Sequence, residues 1–277
     1  MSTLAEARVA YFSMEVALAS YIPTYSGGLG VLAGDMLRAA ADLRVPMVGV
    51  TLVHRHGYLD QDLDAAGAQT ERPDPWTPEA WATLLAPRVN LQLEGREVQL
   101  RAYAYEVKGA GGRSVWVLLL DTDVPENSEQ DRTLTNDLYG GDARYRLMQE
   151  AVLGIGGVRM LRALGCNALE RFHMNEGHAA LLALELVDEN ARAAGRTDVE
   201  KADIDPCRDL GNASLSSALR SSILGLARGQ LIAPLRAQNT AARCSSSTFG
   251  SETHAAGSRP SRHEQAYERS HVHARLW

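Results

Sequence analysis

The sequence predicts an α/β fold, on three observations. Pro46–Val53 (PMVGVTLV) is a continuous apolar run, the pattern of a parallel strand buried on both faces. Ahead of it, Tyr25–Asp35 (YSGGLGVLAGD) sets Gly27, Gly28 and Gly30 before a segment of helical period, with Leu32, Met36, Ala40 and Leu43 on one stripe. Ahead of both, Val9–Phe12 (VAYF) reads as a short buried strand. Strand, glycine loop, helix and strand in that order make a βαβ-like unit.

The remaining elements follow in chain order. Ser13–Tyr21 carries Glu15 on a mostly apolar segment, and Asp35, Arg38 and Asp42 are spaced to pair along the polar side of the first helix. The proline- and tryptophan-bearing stretch Asp74–Trp81 reads as an irregular connection. Val89–Leu93 and Val98–Tyr105 alternate apolar and polar residues about Glu94-Gly95-Arg96, a hairpin pattern. After a turn at Gly109–Gly112, Val115–Leu120 (VWVLLL) is another buried strand. Asp142–Leu164 reads as a long helix interrupted by Gly154, Gly156 and Gly157. Each glycine costs about 1 kcal/mol against alanine there, so close approach of another backbone, or a break, is expected. Phe172–Met174 is a short strand, and Asn175 is placed as the N-cap of a helix over Ala179–Ala194.

Composition narrows the function classes. The chain has 277 residues, 45% of them hydrophobic, enough for one good core and a second small one. There is no apolar opening run and no window approaching the ~20 apolar residues of a membrane span. Cys166, Cys207 and Cys244 lack metal-ligand spacing, and a soluble cytoplasmic protein is expected. The net charge of −6 argues against non-specific binding to nucleic acid. The charge is uneven, however. Nine of the 28 basic residues and only four of the 34 acidic ones fall in 206–277, a Ser/Arg/Ala-rich stretch of net +5 that follows a segment of net −11. Two domains of behaviour are therefore expected: a folded unit over 1–205, and a tail over 206–277 that is disordered or the product of out-of-frame translation.

Several residues carry candidate chemistry. The glycine loop bares backbone N–H groups at a helix N-terminus, which suits a phosphate or sugar phosphate. Gly28-x-Gly30-x-x-Ala33 also fits a dinucleotide pattern. Against that, the glycines trail the first strand by about 15 residues, and the second strand ends Val53-His54-Arg55 without an acid for a ribose. His178, placed in the first turn of a helix, is expected to be neutral and able both to donate to and accept from hydroxyls. Glu15 and Asp142 are candidate acids, although lone carboxylates at strand ends and helix starts are usually structural. His54 and His56 share one strand face without further clustered ligands, so no metal site is expected.

On these residues the chain resembles a known family. YFSME (Tyr11–Glu15), YSGGLGVLAGD (Tyr25–Asp35), LYGGDARYRLMQEAVLGIGGVRML (Leu138–Leu161) and FHMNEGHAALLALEL (Phe172–Leu186) together resemble the short bacterial type of α-glucan (glycogen/starch) phosphorylase, up to about Asp205. The resemblance implies a Rossmann-like N-terminal domain of a GT-B glycosyltransferase fold, with the second domain missing. It implies α-1,4-glucan, phosphate and glucose 1-phosphate as ligands. Gly27, Gly28, Leu29 and Gly30 then match the loop beside phosphate and glucosyl unit, His178 matches a sugar-contacting histidine, and Glu15 and Asp142 match acids lining the pocket. The family uses pyridoxal phosphate on a lysine of the second domain. Lys108 and Lys201 are the only lysines here, and neither sits in such a motif, so the chain is expected to be inactive alone. Starch and glycogen synthases share the fold and a related loop, usually with a lysine just before the glycines where this chain has Thr24-Tyr25-Ser26. A non-catalytic glucan-binding remnant is a further alternative.

Overall fold

The structure is a computed structural model and describes residues 4–72, 74–193 and 195. The boundary expected near Asp205, the tail 206–277 and Lys201 lie outside the described residues.

The βαβ unit forms as expected. β1 (Val9–Phe12), α1 (Gly28–Asp42) and β2 (Met47–Leu52) follow one another, with β1 and β2 parallel and Tyr11 opposite Gly49. A small antiparallel pair, β3 (Asp60–Leu63) and β4 (Gln69–Arg72), is almost wholly exposed. It therefore lacks the apolar alternation by which a strand is read from sequence. A 3₁₀ turn at Pro78–Ala80 precedes β5 (Thr83–Leu84). β6 (Val89–Leu93) and β7 (Arg96–Lys108) form the expected hairpin, turning on Glu94 and Gly95 with φ of 50° and 77°, the left-handed pair that a two-residue turn requires. β8 (Ser114–Asp121) runs antiparallel to β7 and parallel to β2. A short α2 (Glu129–Arg132) leads to α3 (Ala143–Ala151) and α4 (Gly157–Ala163), then β9 (Arg171–Met174) and α5 (Leu182–Ala193).

The sheet order is β5-β7-β8-β2-β1-β9, with β6 also on β7. Both faces of its centre are buried. Phe12, Val50, Leu118 and Leu120 pack with residues of α3, α4 and α5, while Tyr11, Val117 and Leu119 pack under Ala33, Leu37 and Ala41 of α1. Consecutive apolar residues in β2 and β8 are thus explained by alternate burial on two sides.

Two expectations are corrected, and a third, on the long helix, is borne out in a particular form. The apolar stripe of α1 is not its buried face. Leu32, Met36 and Leu43 are exposed, and Gly30, Ala33, Gly34, Leu37, Ala40 and Ala41 are buried. The reason is close packing, since a Cβ on Gly34 would stand 2.3 Å from the Ala17 carbonyl oxygen. The long helix is carried through its glycines by a π-helical turn, Val152–Gly156, that joins α3 to α4. Here the expected close approach occurs, because a Cβ on Gly154 would meet the Leu182 nitrogen at 2.6 Å and one on Gly157 would meet the Phe12 ring at 2.6 Å. Finally, Asn175 caps no helix. A 3₁₀ turn, Gly177–Ala179, capped at Glu176, comes before α5.

No helix among the described residues is long and apolar enough to cross a membrane.

Candidate functional site

Strand order reverses beside β1. The chain steps from β1 to β2 on one side, and later returns through α3 and α4 to place β9 on the other, parallel to β1. In open α/β sheets such a switch point leaves a crevice beyond the carboxyl ends of the strands. Most of the residues singled out in the sequence converge there.

Glu15 lies just past β1 and is 3% exposed. Its Oε2 accepts hydrogen bonds from the Ser26 and Gly27 amides at 2.7 and 3.1 Å, and its Oε1 accepts one from the Tyr139 hydroxyl at 2.9 Å. The carboxylate therefore fixes the shape of the glycine loop. Asn175, just past β9, fastens the loop from the other side. Its amide nitrogen donates to Ser13 Oγ at 3.1 Å and to the Leu29 carbonyl at 3.2 Å, and its backbone N–H donates to the Phe12 carbonyl. That is why this residue is not spent on capping.

The loop's glycines divide the work. A side chain on Gly30 would strike Tyr25 Cβ at 2.5 Å and Glu15 Oε2 at 2.8 Å, so Gly30 is required by packing. At Gly27 and Gly28 a Cβ would meet nothing within 4 Å. These two bare the backbone to open space, directly at the start of α1. That helix has no side-chain cap, and its first amides, Gly28 and Leu29 among them, have no acceptor within the helix. An anion is the natural partner for such a terminus.

His178 stands in the 3₁₀ turn rather than in the first turn of a longer helix, which corrects the expected source of its electrostatics. Its Nδ1 lies 3.0 Å from Glu150 Oε1. With Nδ1–H donating to that carboxylate, Nε2 is left as an acceptor. The His178 ring leans on Tyr139, with centroids 5.8 Å apart, so Tyr139 joins the histidine to Glu15 and the loop. Burial first, and then the Glu15 carboxylate, push the Tyr139 phenol well up, which keeps it a donor. Tyr139 also holds φ at 57°, and Arg146 donates to its carbonyl at 3.3 Å while stacking its guanidinium over the ring at 5.8 Å. A non-glycine residue in that region costs of order 1–3 kcal/mol, and such strain gathers at functional sites. Asp142 follows on the same loop, but its carboxylate accepts from the Tyr145 amide at 2.8 Å as the N-cap of α3, and it is exposed.

The two histidines after β2 go separate ways. His54 is buried with Nε2 2.7 Å from the Met14 carbonyl, and His56 Nδ1 lies 2.9 Å from Asp137. They share no strand face, because β2 ends at Leu52 and the backbone turns at His54, φ 45°. Among the described residues, no group of three or more His, Cys, Asp or Glu is placed to hold a metal ion.

A scan against protein-family models finds no match. Curated proteins do match. The chain is 43% identical over 199 residues to a glycogen phosphorylase of Mycobacterium tuberculosis, covering 68% of this chain and 22% of that one. It is 42% identical over 185 residues to a maltodextrin phosphorylase of Thermococcus litoralis, covering 63% and 21%. A glycogen phosphorylase of Aquifex aeolicus is 33% identical over 184 residues, covering 64% and 26%. This chain is a relative of the glycogen and maltodextrin phosphorylases. It spans about a fifth to a quarter of the length of these relatives.

For a phosphorylase relative the fit of pyridoxal phosphate has to be asked of these residues. A lysine-held cofactor does not fit them. The one lysine among the described residues, Lys108, pairs in register with Ser114 at the amino end of β8, whereas the crevice lies at the carboxyl ends of the parallel strands. Its side chain is exposed.

Tyr139, Glu150, Arg146 and Ser26 were not singled out from sequence. Their one local signal is the pair Gly140-Gly141 after Tyr139, which marks a turn without saying that a tyrosine in left-handed conformation would cross to Glu15.

Proposed function

We propose that this chain carries the face of an α-glucan phosphorylase that meets the terminal glucosyl unit and the phosphate, on a Rossmann-like domain of the GT-B architecture. The observation that carries this reading is the glycine loop, clamped by Glu15 and Asn175 with Gly27 and Gly28 turned to open space at the start of α1. In this reading the amides of Gly28 and Leu29 and the positive end of the helix receive the phosphate oxygens. Nε2 of His178 accepts a hydrogen bond from a hydroxyl of the sugar, while Glu150 holds the ring. Glu15 and Tyr139 act by positioning, since both sides of the Glu15 carboxylate are already engaged. Asp142 keeps the loop bearing Tyr139 in place through its cap.

The full reaction is transfer of a glucosyl unit from the non-reducing end of an α-1,4-glucan to inorganic phosphate, giving glucose 1-phosphate. In this reading the pyridoxal phosphate of that reaction, and the second wall that excludes water, lie outside the described residues, which supply a binding face.

Calorimetric titration tests this directly. The full chain is expected to bind glucose 1-phosphate, and Gly28→Val, which fills the open space, is expected to weaken that binding at least tenfold with no change in thermal stability. Unaltered affinity in a folded Gly28→Val would reduce the loop to a turn. With pyridoxal phosphate, phosphate and maltodextrin supplied, no glucose 1-phosphate is expected above a His178→Ala control. Its release would show that the half site is complete.

A further inference from the structure

Behind the Glu15 clamp lies a buried polar layer that never reaches the crevice. His54, just past β2, is fully buried, and its Nε2 stands 2.7 Å from the Met14 carbonyl oxygen. A carbonyl only accepts, so Nε2 carries the proton and donates. Thr51 Oγ1 donates to the same oxygen at the longer distance of 3.3 Å. Met14 is the residue before Glu15, so these bonds fix the backbone from which the clamping carboxylate springs. Burial pushes the imidazole down to about 4, which keeps it neutral and leaves Nδ1 an acceptor. That acceptor has no protein partner among the described residues. An unpaired buried acceptor is destabilising, so packing alone would be better served here by an apolar side chain. What histidine supplies at this position is the N–H aimed at Met14.

His54 also opens the turn on which the other half of the clamp hangs. It holds φ at 45°, and the Gly57 N–H donates to its carbonyl at 2.8 Å. Trp76 Nε1 donates to that carbonyl at 2.8 Å and to the Val53 carbonyl at 3.1 Å. The turn then runs parallel to residues 136–138. The His56 N–H donates to the Asn136 carbonyl at 2.9 Å, and the Leu138 N–H donates to the Gly57 carbonyl at 3.2 Å. Tyr139 is the next residue. Glu15 and Tyr139 lie 124 positions apart, and the turn 54–57 holds the residue immediately before each of them.

We propose that His54 is a positioning residue for the crevice, which sets from behind the meeting of Glu15 with Tyr139 and so the course of the glycine loop. The proposal rests on the reading of the crevice as the face that meets phosphate and sugar, and adds to it the residue that sets the clamp.

Hydrogen exchange of the Ser26 and Gly27 amides, which both donate to Glu15, reads the clamp without any ligand. In His54→Leu these two amides are expected to exchange about tenfold faster, the worth of one hydrogen bond. His54→Gln carries an N–H in the place of Nε2 and is expected to restore most of the protection. Val98→Ala, a core cut on β7, should leave the two amides as in wild type. Wild-type exchange in a folded His54→Leu would overturn the proposal. Equal acceleration by Val98→Ala would overturn it too, by making His54 a core residue and no more. Trp76→Phe takes the indole N–H from the turn and leaves the imidazole in place, which covers a His54→Leu that does not fold. It is expected to speed the same amides about threefold, and wild-type exchange there would likewise overturn the proposal.

Calorimetric titration with glucose 1-phosphate carries the effect to the ligand. His54→Leu is expected to weaken binding about tenfold, and to add nothing to the loss in Glu15→Gln, because both act on one carboxylate. Additive losses would overturn the proposal. A wild-type chain that binds no glucose 1-phosphate would sink the reading of the crevice instead, and the exchange rates would still judge the clamp.

Discussion

Two buried carboxylates stand at the carboxyl ends of the parallel strands, Glu15 after β1 and Asp121 at the end of β8, and they are satisfied in opposite ways. Asp121 is fully buried, and its Oδ2 takes the Arg55 and Arg101 guanidinium groups at 2.7 and 2.8 Å, a charge closed off by two cations. Glu15 has no ion pair among the described residues and is held by two amides and a phenol. A carboxylate that binds cations knits strands together. One that binds backbone amides dictates the course of a loop. The sheet is thus locked by ion pairs at its β8 end, while at its β1 end the carboxylate holds the glycine loop.

The largest expected effect is at the locked end. Asp121→Ala takes from two largely buried guanidinium groups their shared partner, leaving Arg55 only its longer contacts to Glu79, Asp123 and Tyr103, and should cost about 3–5 kcal/mol in denaturant unfolding. A loss under about 1 kcal/mol would erase the distinction drawn between the two acids.

Between the two ends stands His54, just past β2, whose imidazole burial pushes down to about 4 against smaller upward pulls from the Met14 carbonyl, Glu15 and Asp137. The folded chain then binds fewer protons than the unfolded one between pH 6.5 and pH 4, so stability falls as the pH drops through that window. The loss comes to about 3 kcal/mol and is complete below pH 4. Unfolding curves at pH 7, 5.5 and 4.5 measure it, and His54→Asn should flatten this part of the profile.

Glu15→Gln should cost about 2 kcal/mol, because the charge-assisted bonds from the loop are lost. It should also weaken glucose 1-phosphate binding more than that stability loss explains, through a loosened loop. A stability loss with unchanged affinity would make Glu15 as purely structural as Asp121.

The smallest effect compares two glycines. Gly154→Ala forces a methyl group against the Leu182 backbone and should cost about 1–3 kcal/mol, whereas Gly28→Ala should leave the melting temperature unmoved.

How far these features could be read from sequence follows from how local their causes are. β2 and β8 were legible because residues buried on both faces make an unbroken apolar run. The interior face of α1 was not, because Gly30, Ala33 and Gly34 are buried for their smallness while the more hydrophobic Leu32 and Met36 face outward. The glycine loop and His178 could be named from the order of motifs. The clamp could not, since Asn175 reaches Ser13 across 162 positions of sequence and nothing local tells a cap from a tie. Tyr139 was invisible for the same reason, its partner Glu15 lying 124 positions away.

The place of β9 at the edge beside β1 has a consequence for synthesis. β1 leaves the ribosome ahead of both its partners and is paired on one side by β2 soon afterwards, but its other side waits for residues 171–174. Until then Val9–Phe12 is an apolar edge with unpaired backbone groups, the kind of template on which nascent chains associate. The glycine loop is likewise fastened on one side only, since Asn175 follows β9. Fastening of the glycine loop and protection from aggregation therefore arrive together, in one late docking event of β9 on β1.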